Sequence, residues 1–315
     1  MKEKRQLSGR LCAALVAAAG CMWGTIGLFV RPMNAAGLSS LSIVELRSLI
    51  TAAVLLVVTL CVDPKQLRVR LRDLWCFFGT GVCSVLFFNF CYFRTIEEGS
   101  MAVAATLLYT SPVFVMLLSL LLFREKITGR KVAALVMAML GCVLVSGVLS
   151  DDGGFSGRAM LLGIAAGFGY GLYSIFSRYA LQRGYSVLTI TTYTFVFAAA
   201  GGALLTDFGA VWRAVSVGSW PMALLVVGCA LMTTVAPYLC YTVGLSGMDN
   251  TRAAVIAAVE PVAAALFGLL FYREVPDLAA TVGMLFVLDA VMLLTRPPRQ
   301  PKQPHPPKQK RTKEL

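Results

Sequence analysis

Charge is scarce in this chain, and histidine scarcer. Charged residues make up 14% of its 315 positions, against about 25% in an ordinary soluble domain. A surface of that polarity cannot cover so apolar a chain in water. The only histidine is His305, and the nine cysteines stand singly, without a CxxC pair or a Cys/His ligand set. That spacing argues against both a zinc site and a disulfide framework, so no metal and no cofactor is expected. The thiols read as small buried hydrophobes. No Gly-x-x-x-x-Gly-Lys stretch occurs, which leaves ATP drive unsupported.

Acidic residues are few, 16 against 28 basic, for a net charge of +12. The basic residues gather at Lys2, Lys4, Arg5 and Arg10, in short loops, and from Arg296 onward. There is no basic patch interleaved with aromatics, so a nucleic-acid partner is not indicated. Membrane orientation accounts for the charge better.

What the chain has instead is hydrophobic length: 58% of its residues are apolar and its mean hydropathy is +0.76. The apolar residues come in blocks of about 18–24, long enough to cross a bilayer. Ten spans are expected, at 11–30, 41–62, 75–95, 100–122, 131–149, 159–177, 187–206, 220–243, 252–271 and 278–295. The first is too long and too rich in bulky residues (Trp23, Ile26, Phe29) for a secretory signal, and reads as an uncleaved span. With the amino terminus inside, 22 of the 28 basic residues flank the cytoplasmic ends, and Arg31, Arg94, Arg158, Arg213 and Arg273 the outer ends. Both termini are therefore expected in the cytoplasm of a multi-pass plasma-membrane protein. Residues 1–10 form a cytoplasmic arm, and 296–315 a Pro- and Lys-rich tail expected to be disordered.

A duplication organises the spans. Leu107-Leu108-Tyr109-Thr110-Ser111-Pro112, running to Arg124-Glu125, matches Ala257-Ala258-Val259-Glu260-Pro261, running to Arg273-Glu274. Pro112 meets Pro261, and Glu125 meets Glu274, at a single offset of 149. The first and sixth spans match at 147: Ala18-Ala19-Gly20 with Ala165-Ala166-Gly167, Trp23-Gly24 with Tyr170-Gly171, Arg31 with Arg178, Gly37 with Gly184. Cys91-Tyr92 meets Cys240-Tyr241, again at 149. The units are expected at 11–149 and 159–295, joined by an outer linker at 150–158. Because five is odd, the second copy enters from the opposite face. An all-α membrane fold of two inverted five-helix repeats around a central cavity follows, the architecture of alternating-access carriers.

The five-plus-five duplication, Trp23-Gly24, Leu46-Arg47, the Ser-Pro and Glu-Pro helices and the Arg-Glu at their ends together resemble the drug/metabolite transporter superfamily, in its EamA-like branch. The resemblance covers about residues 11–295. It implies a basket of helices whose cavity is lined mainly by spans one, three, four, six, eight and nine. It implies substrates among amino acids, carboxylates, nucleosides, sugars, amines and drugs, and not an enzymatic activity.

Glu260 is the foremost candidate site residue, because a carboxylate in mid-span costs about 2.5–3.5 kcal/mol on insertion scales. It reads as a proton or cationic-substrate site, or as a structural carboxyl bonded across helices. Pro261 and Pro112 free a backbone carbonyl in each copy. Arg47 either binds a substrate carboxylate or locks the second span to a neighbour. Trp23, Asn89, Tyr109, Tyr170 and Tyr238 suit a pocket for amphipathic solutes, with plain packing as the alternative for each. Glu125 and Glu274 read as helix-end ion pairs, and Gly24 and Gly171 as close-packing positions. A secondary transporter of a small organic metabolite is expected, with proton coupling through Glu260 as a hypothesis. A lipid flippase or a membrane-embedded enzyme is the alternative. Small molecules and membrane lipids are the expected partners of what is read as a monomer.

Overall fold

The computed structural model of the chain describes residues 8–150, 156–206, 208–209 and 220–295. The arm before Ser8, Asp151 and Asp152 of the linker, Arg213 and the tail with His305 lie outside the described residues. Among those described there are helices and turns and no strands. Lipid supplies no hydrogen bonds to a backbone, so a crossing segment must satisfy its own.

The helices are α1 (Gly9–Ala35), α2 (Ser40–Val62), α3 (Leu71–Glu98), α4 (Met101–Phe123), α6 (Gly157–Gln182), α8 (Trp220–Ser246), α9 (Asn250–Tyr272) and α10 (Leu278–Thr295), with α5 (Gly129–Val145) and α7 (Val187–Gly202) between them. Eight are long and apolar enough to cross a membrane. The ten spans read from the sequence thus appear as eight of full crossing length and two shorter helices, α5 with 17 residues and α7 with 16. Large apolar side chains such as Leu121, Leu161 and Leu270 point outward, as lipid-facing residues should.

Serine and threonine fix where many helices begin. Ser8, Ser39, Ser100, Thr128, Ser156 and Ser186 each accept a hydrogen bond from the backbone N–H three residues on. That satisfies an amide the helix itself cannot.

Hydroxyls and glycines hold the helices together. The Thr59 and Thr192 hydroxyls lie 3.0 Å apart and join α2 to α7, and Thr194 donates to Thr80 at 2.7 Å to join α7 to α3. α5 and α10 cross at Gly141 and Gly283, where a Cβ on either would stand 2.6 Å from the other's carbonyl oxygen. α1 lies against α8 and α9, and α6 against α3 and α4.

Departures from regular helix recur at the sequence offset. α4 stops at Leu108 and resumes at Ser111, and α9 stops at Ala257 and resumes at Glu260. Wider π turns end at Leu86 in α3 and Val235 in α8. Arg124 and Arg273 both adopt the left-handed conformation, with φ of 53° and 57°, which costs a non-glycine residue about 1–2 kcal/mol. Beyond each, Glu125 donates its N–H to the Ser119 carbonyl and Glu274 to the Gly268 carbonyl.

The helix ends also meet in a set order. Arg31, near the end of α1, pairs with Glu274 just past the end of α9. Arg178, near the end of α6, instead bonds Asn250 at the start of α9, as does Glu125 just past the end of α4. α1 and α9 therefore finish on one side, while α4 and α6 finish on the other.

The Gly141–Gly283 crossing has no room for a side chain. Gly141→Val should cost about 1–3 kcal/mol by overpacking, lowering the thermal midpoint of the detergent-purified protein. An unchanged midpoint would show that α5 and α10 can separate freely.

Candidate functional site

The two helix breaks face one central pocket, whose wall draws on α1, α3, α4, α6, α8 and α9. α4 contributes Tyr109, Ser111 and Pro112 at its break, and α9 contributes Ala257, Ala258 and Glu260 at its own. Pro112 and Pro261 each occupy one of the first positions of the resumed helix. There a missing N–H costs nothing, because the interrupted helix has already released that donor. Gly24 and Gly171 set the wall's closeness. A Cβ on Gly24 would lie 2.7 Å from that of Ala263, and one on Gly171 would lie 3.0 Å from Val115.

Aromatic rings fill the middle. Trp23 sits 5.3 Å from Tyr238, 5.6 Å from Tyr241 and 6.1 Å from Tyr170 between ring centroids. Tyr173 meets Tyr238 at 4.9 Å with an interplanar angle of 87°. The tyrosine hydroxyls are mostly engaged: Tyr173 with the Thr242 hydroxyl and Tyr241 with the Ser174 hydroxyl, each at 2.7 Å. Tyr170 donates to Glu260 Oε2 at 3.3 Å. This packing leaves about 30 Å³ open to the centre of a water-sized body, room for one or two waters. The pocket is occluded, and an organic solute must open it.

Among the sequence candidates, Glu260, Trp23, Tyr109, Tyr170 and Tyr238 line this pocket. Asn89 and Arg47 do not. The buried Asn89 amide donates to its own helix at the Val85 carbonyl, 2.7 Å away. Arg47 is buried and donates to the Thr233 hydroxyl at 3.4 Å, joining α2 to α8. Tyr173, Ser174 and Tyr241 line the pocket without having been singled out by sequence. The signal was present in Tyr170/Tyr173 and Tyr238/Tyr241, each a pair three residues apart and so on one helix face.

Among the described residues five buried side chains, Glu45, Thr51, Ser84, Ser177 and Thr234, carry a polar atom without a hydrogen-bond partner, and Glu45 is the carboxyl among them. It is 3% exposed and its Oε1 has no hydrogen-bond partner, while its Oε2 packs close to Gly202. No basic side chain lies within ion-pairing distance of it among the described residues.

Two arginines at equivalent sequence positions close the two ends of the molecule unequally. At one end Arg31 grips Glu274 bidentately, at 2.6 and 3.1 Å, and covers the Tyr272 ring at 4.4 Å. Both partners are half exposed, so the pair contributes less than about 1 kcal/mol. The Arg31 guanidinium holds the Glu274 carboxyl below the usual carboxylate range. A lowered carboxyl adds stability above its unfolded value and loses it only as pH falls through the lowered one. Neutral pH therefore leaves this contact intact.

The other end is a network. Arg178 donates to Asn250 Oδ1 at 2.8 Å and to the Met248 carbonyl. Glu125 accepts from the Asn250 N–H at 2.8 Å and the Thr251 hydroxyl at 3.0 Å. Lys131 lies 2.9 Å from Asp249 and 3.7 Å from Glu125. Glu125 is thus more than a simple helix-end pair: it caps the start of α9.

A bundle with eight helices long and apolar enough to cross a bilayer around a central pocket is the architecture of an integral membrane protein, and comparison with known proteins identifies its class as a transporter. The EamA-like transporter family model matches the chain twice, over residues 10–147 and 157–296. The chain belongs to the EamA-like transporter family. It is 30% identical over 288 residues to an uncharacterized transporter of Archaeoglobus fulgidus, covering 90% of this chain and 96% of that protein. It is 28% identical over 223 residues to the uncharacterized transporter YxxF of Bacillus subtilis, covering 69% and 68%. A crystal structure 19% identical in sequence superposes with a TM-score of 0.73, covering 90% of this chain and 95% of the other, and shows the same fold.

Glu45 yields a stability prediction. Replacing an unpartnered buried carboxyl by an unbranched apolar side chain removes a desolvation penalty on the order of 1–3 kcal/mol. Glu45→Met should therefore raise the thermal midpoint at pH 8, measured by tryptophan fluorescence in detergent. A lowered midpoint would mean that Glu45 makes a stabilising contact.

Proposed function

We propose that the protein is a secondary carrier moving a small organic metabolite across the plasma membrane by alternating access. The observation that carries this reading is the pair of clamps, Arg31–Glu274 and Arg178–Asn250–Glu125. They sit at opposite ends of the 23-residue α9, about 34 Å apart at 1.5 Å per residue, with the occluded pocket between them. Equivalent arginines at opposite ends are what an inverted duplication produces, and α1 running parallel to α9 while α6 runs antiparallel to it supports this. On this reading ten spans cross the membrane, α5 and α7 among them, as units at 11–149 and 159–295. Both termini are cytoplasmic, which puts the Arg31 clamp outside and the Arg178 network inside.

Transport follows from the joints. The breaks at Tyr109–Thr110 and Ala258–Val259 let each half-helix swing on the other without losing helical hydrogen bonds elsewhere. Opening the outer clamp while the inner network holds exposes the pocket to one face, and the reverse exposes it to the other. Glu260 is the one carboxylate in the pocket wall and is the coupling group, exchanging a proton for solute or carrying both. Anionic lipid head groups are expected along the basic inner loop of Lys65, Arg68 and Arg70.

Proteoliposomes loaded with a cell metabolite extract and given a pH gradient should gain or lose particular small organic solutes by mass spectrometry, where protein-free liposomes do not. Joining Arg31→Cys to Glu274→Cys with a bifunctional methanethiosulfonate should abolish that exchange, and reductant should restore it. Full exchange in the cross-linked protein would rule out a moving outer clamp.

A further inference from the structure

We propose that the central pocket takes an organic ammonium cation, a protonated or quaternary amine, with Glu260 as its counter-charge and the aromatic rings as its cage. This rests on the carrier reading only for the choice of pocket.

Charge decides the sign of the solute. Glu260 is the sole acidic side chain in the wall, and the wall contains no lysine, arginine or histidine. Its partner is a long hydrogen bond from the Tyr170 hydroxyl, and no cation pairs with it among the described residues. The groups around it on the neighbouring helices are Tyr92 of α3, Tyr109 of α4, Cys142 of α5, Tyr170 of α6 and Tyr238 of α8. Phenols and a thiol carry no charge at neutral pH. Arg47 is the nearby positive group, but it lies outside the wall and is turned to Thr233. An anion entering here would meet the Glu260 carboxyl and no fixed positive charge.

Shape decides the class. Trp23, Tyr170, Tyr173, Tyr238 and Tyr241 give a cage of electron-rich rings in the same pocket wall as the carboxyl, with the Tyr170 hydroxyl 3.3 Å from it. Such cages attract quaternary and protonated amines through the ring quadrupole. Beside Glu260 the wall is built of Ala254, Ala257 and Ala258, whose small side chains leave space for alkyl substituents once the break in α9 opens. The equivalent of Glu260 in the first repeat is Ser111, so the pocket offers a single negative charge, which matches a monovalent cation. Protons and the solute then compete for one carboxylate, and binding weakens as pH falls.

The test uses three probes of one size on the full-length protein in phosphatidylcholine nanodiscs, titrated by calorimetry: benzyltrimethylammonium, benzyl alcohol and benzoate. Saturable binding of the ammonium, at least tenfold tighter than either other probe and tighter at pH 8 than at pH 6, supports the proposal. Benzoate or benzyl alcohol binding as tightly as the ammonium overturns it. Glu260→Gln should lose at least tenfold in ammonium affinity and its pH dependence, while Glu260→Asp and Tyr241→Phe retain most of the affinity. Unchanged affinity in folded Glu260→Gln overturns it as well. The three-probe comparison on the unmodified protein stands even where a variant fails to fold. Binding of the cation without its movement across liposomes would sink the carrier reading and leave this one intact. Movement of organic anions alone would do the reverse.

Discussion

A polypeptide in hydrocarbon must hydrogen-bond to itself, and this constraint governs where the helices of the molecule break. A helix interrupted against lipid would strand amides and carbonyls at several kcal/mol each. The breaks in α4 and α9 lie inside the bundle, whereas the π turn at Gly268–Tyr272 of α9 leaves Leu270 and Phe271 exposed. Both breaks face the pocket, and Thr110 spends its hydroxyl on the Leu107 carbonyl that the break releases. The π turns of α3 and α8 pack against α6, α7 and α2, with Leu231 and Met232 of the α8 turn exposed. The two breaks sit where protein surrounds the backbone, and they are also places where a bundle can bend.

The same constraint explains why the joints come in pairs. A bend in one half alone would tilt one helix and leave a gap against its neighbours. On the carrier reading proposed above, matched bends at Leu108–Ser111 and Ala257–Glu260 let the two halves move as counterparts while α5 and α10 stay locked at Gly141 and Gly283. The clamps then decide which arrangement is preferred. The Arg178 network is buried, multiply bonded and anchored to the start of α9, whereas the Arg31–Glu274 pair is half exposed and screened by solvent and salt. Of the two closures, the second is the weaker, and opening there costs less.

Much of this was legible in the sequence because its signals are periodic or pairwise. Apolar runs gave the helices, and the offset of 149 gave the broken pair through Ser111-Pro112 and Glu260-Pro261. The aromatic positions Trp23, Tyr109, Tyr170 and Tyr238 came from identity and placement on central spans. Asn89 and Arg47 were legible as buried polar groups, each with a packing role as one of two readings. In a helix apolar on every side, sequence does not reveal which face meets the pocket, and only packing turned Asn89 to Val85 and Arg47 to Thr233. Tyr173 and Tyr241 were missed for the same reason. The short lengths of α5 and α7 were hidden too, because the apolar runs continue past the residues where the helices end.

The difference between Ser111 and Glu260 carries the last step. A perfectly duplicated protein would present two carboxyls or none to a shared pocket. Two unpaired carboxylates so close in a low-dielectric site would repel, and one would be forced to hold a proton permanently. None would leave nothing to tell a charged solute from a neutral one. Divergence at this pair, within a backbone whose breaks, left-handed arginines and the π turns of α3 and α8 still correspond, assigns the charge to a single helix. On the carrier reading proposed above, the repeat supplies the motion and the Ser111–Glu260 difference supplies the selectivity.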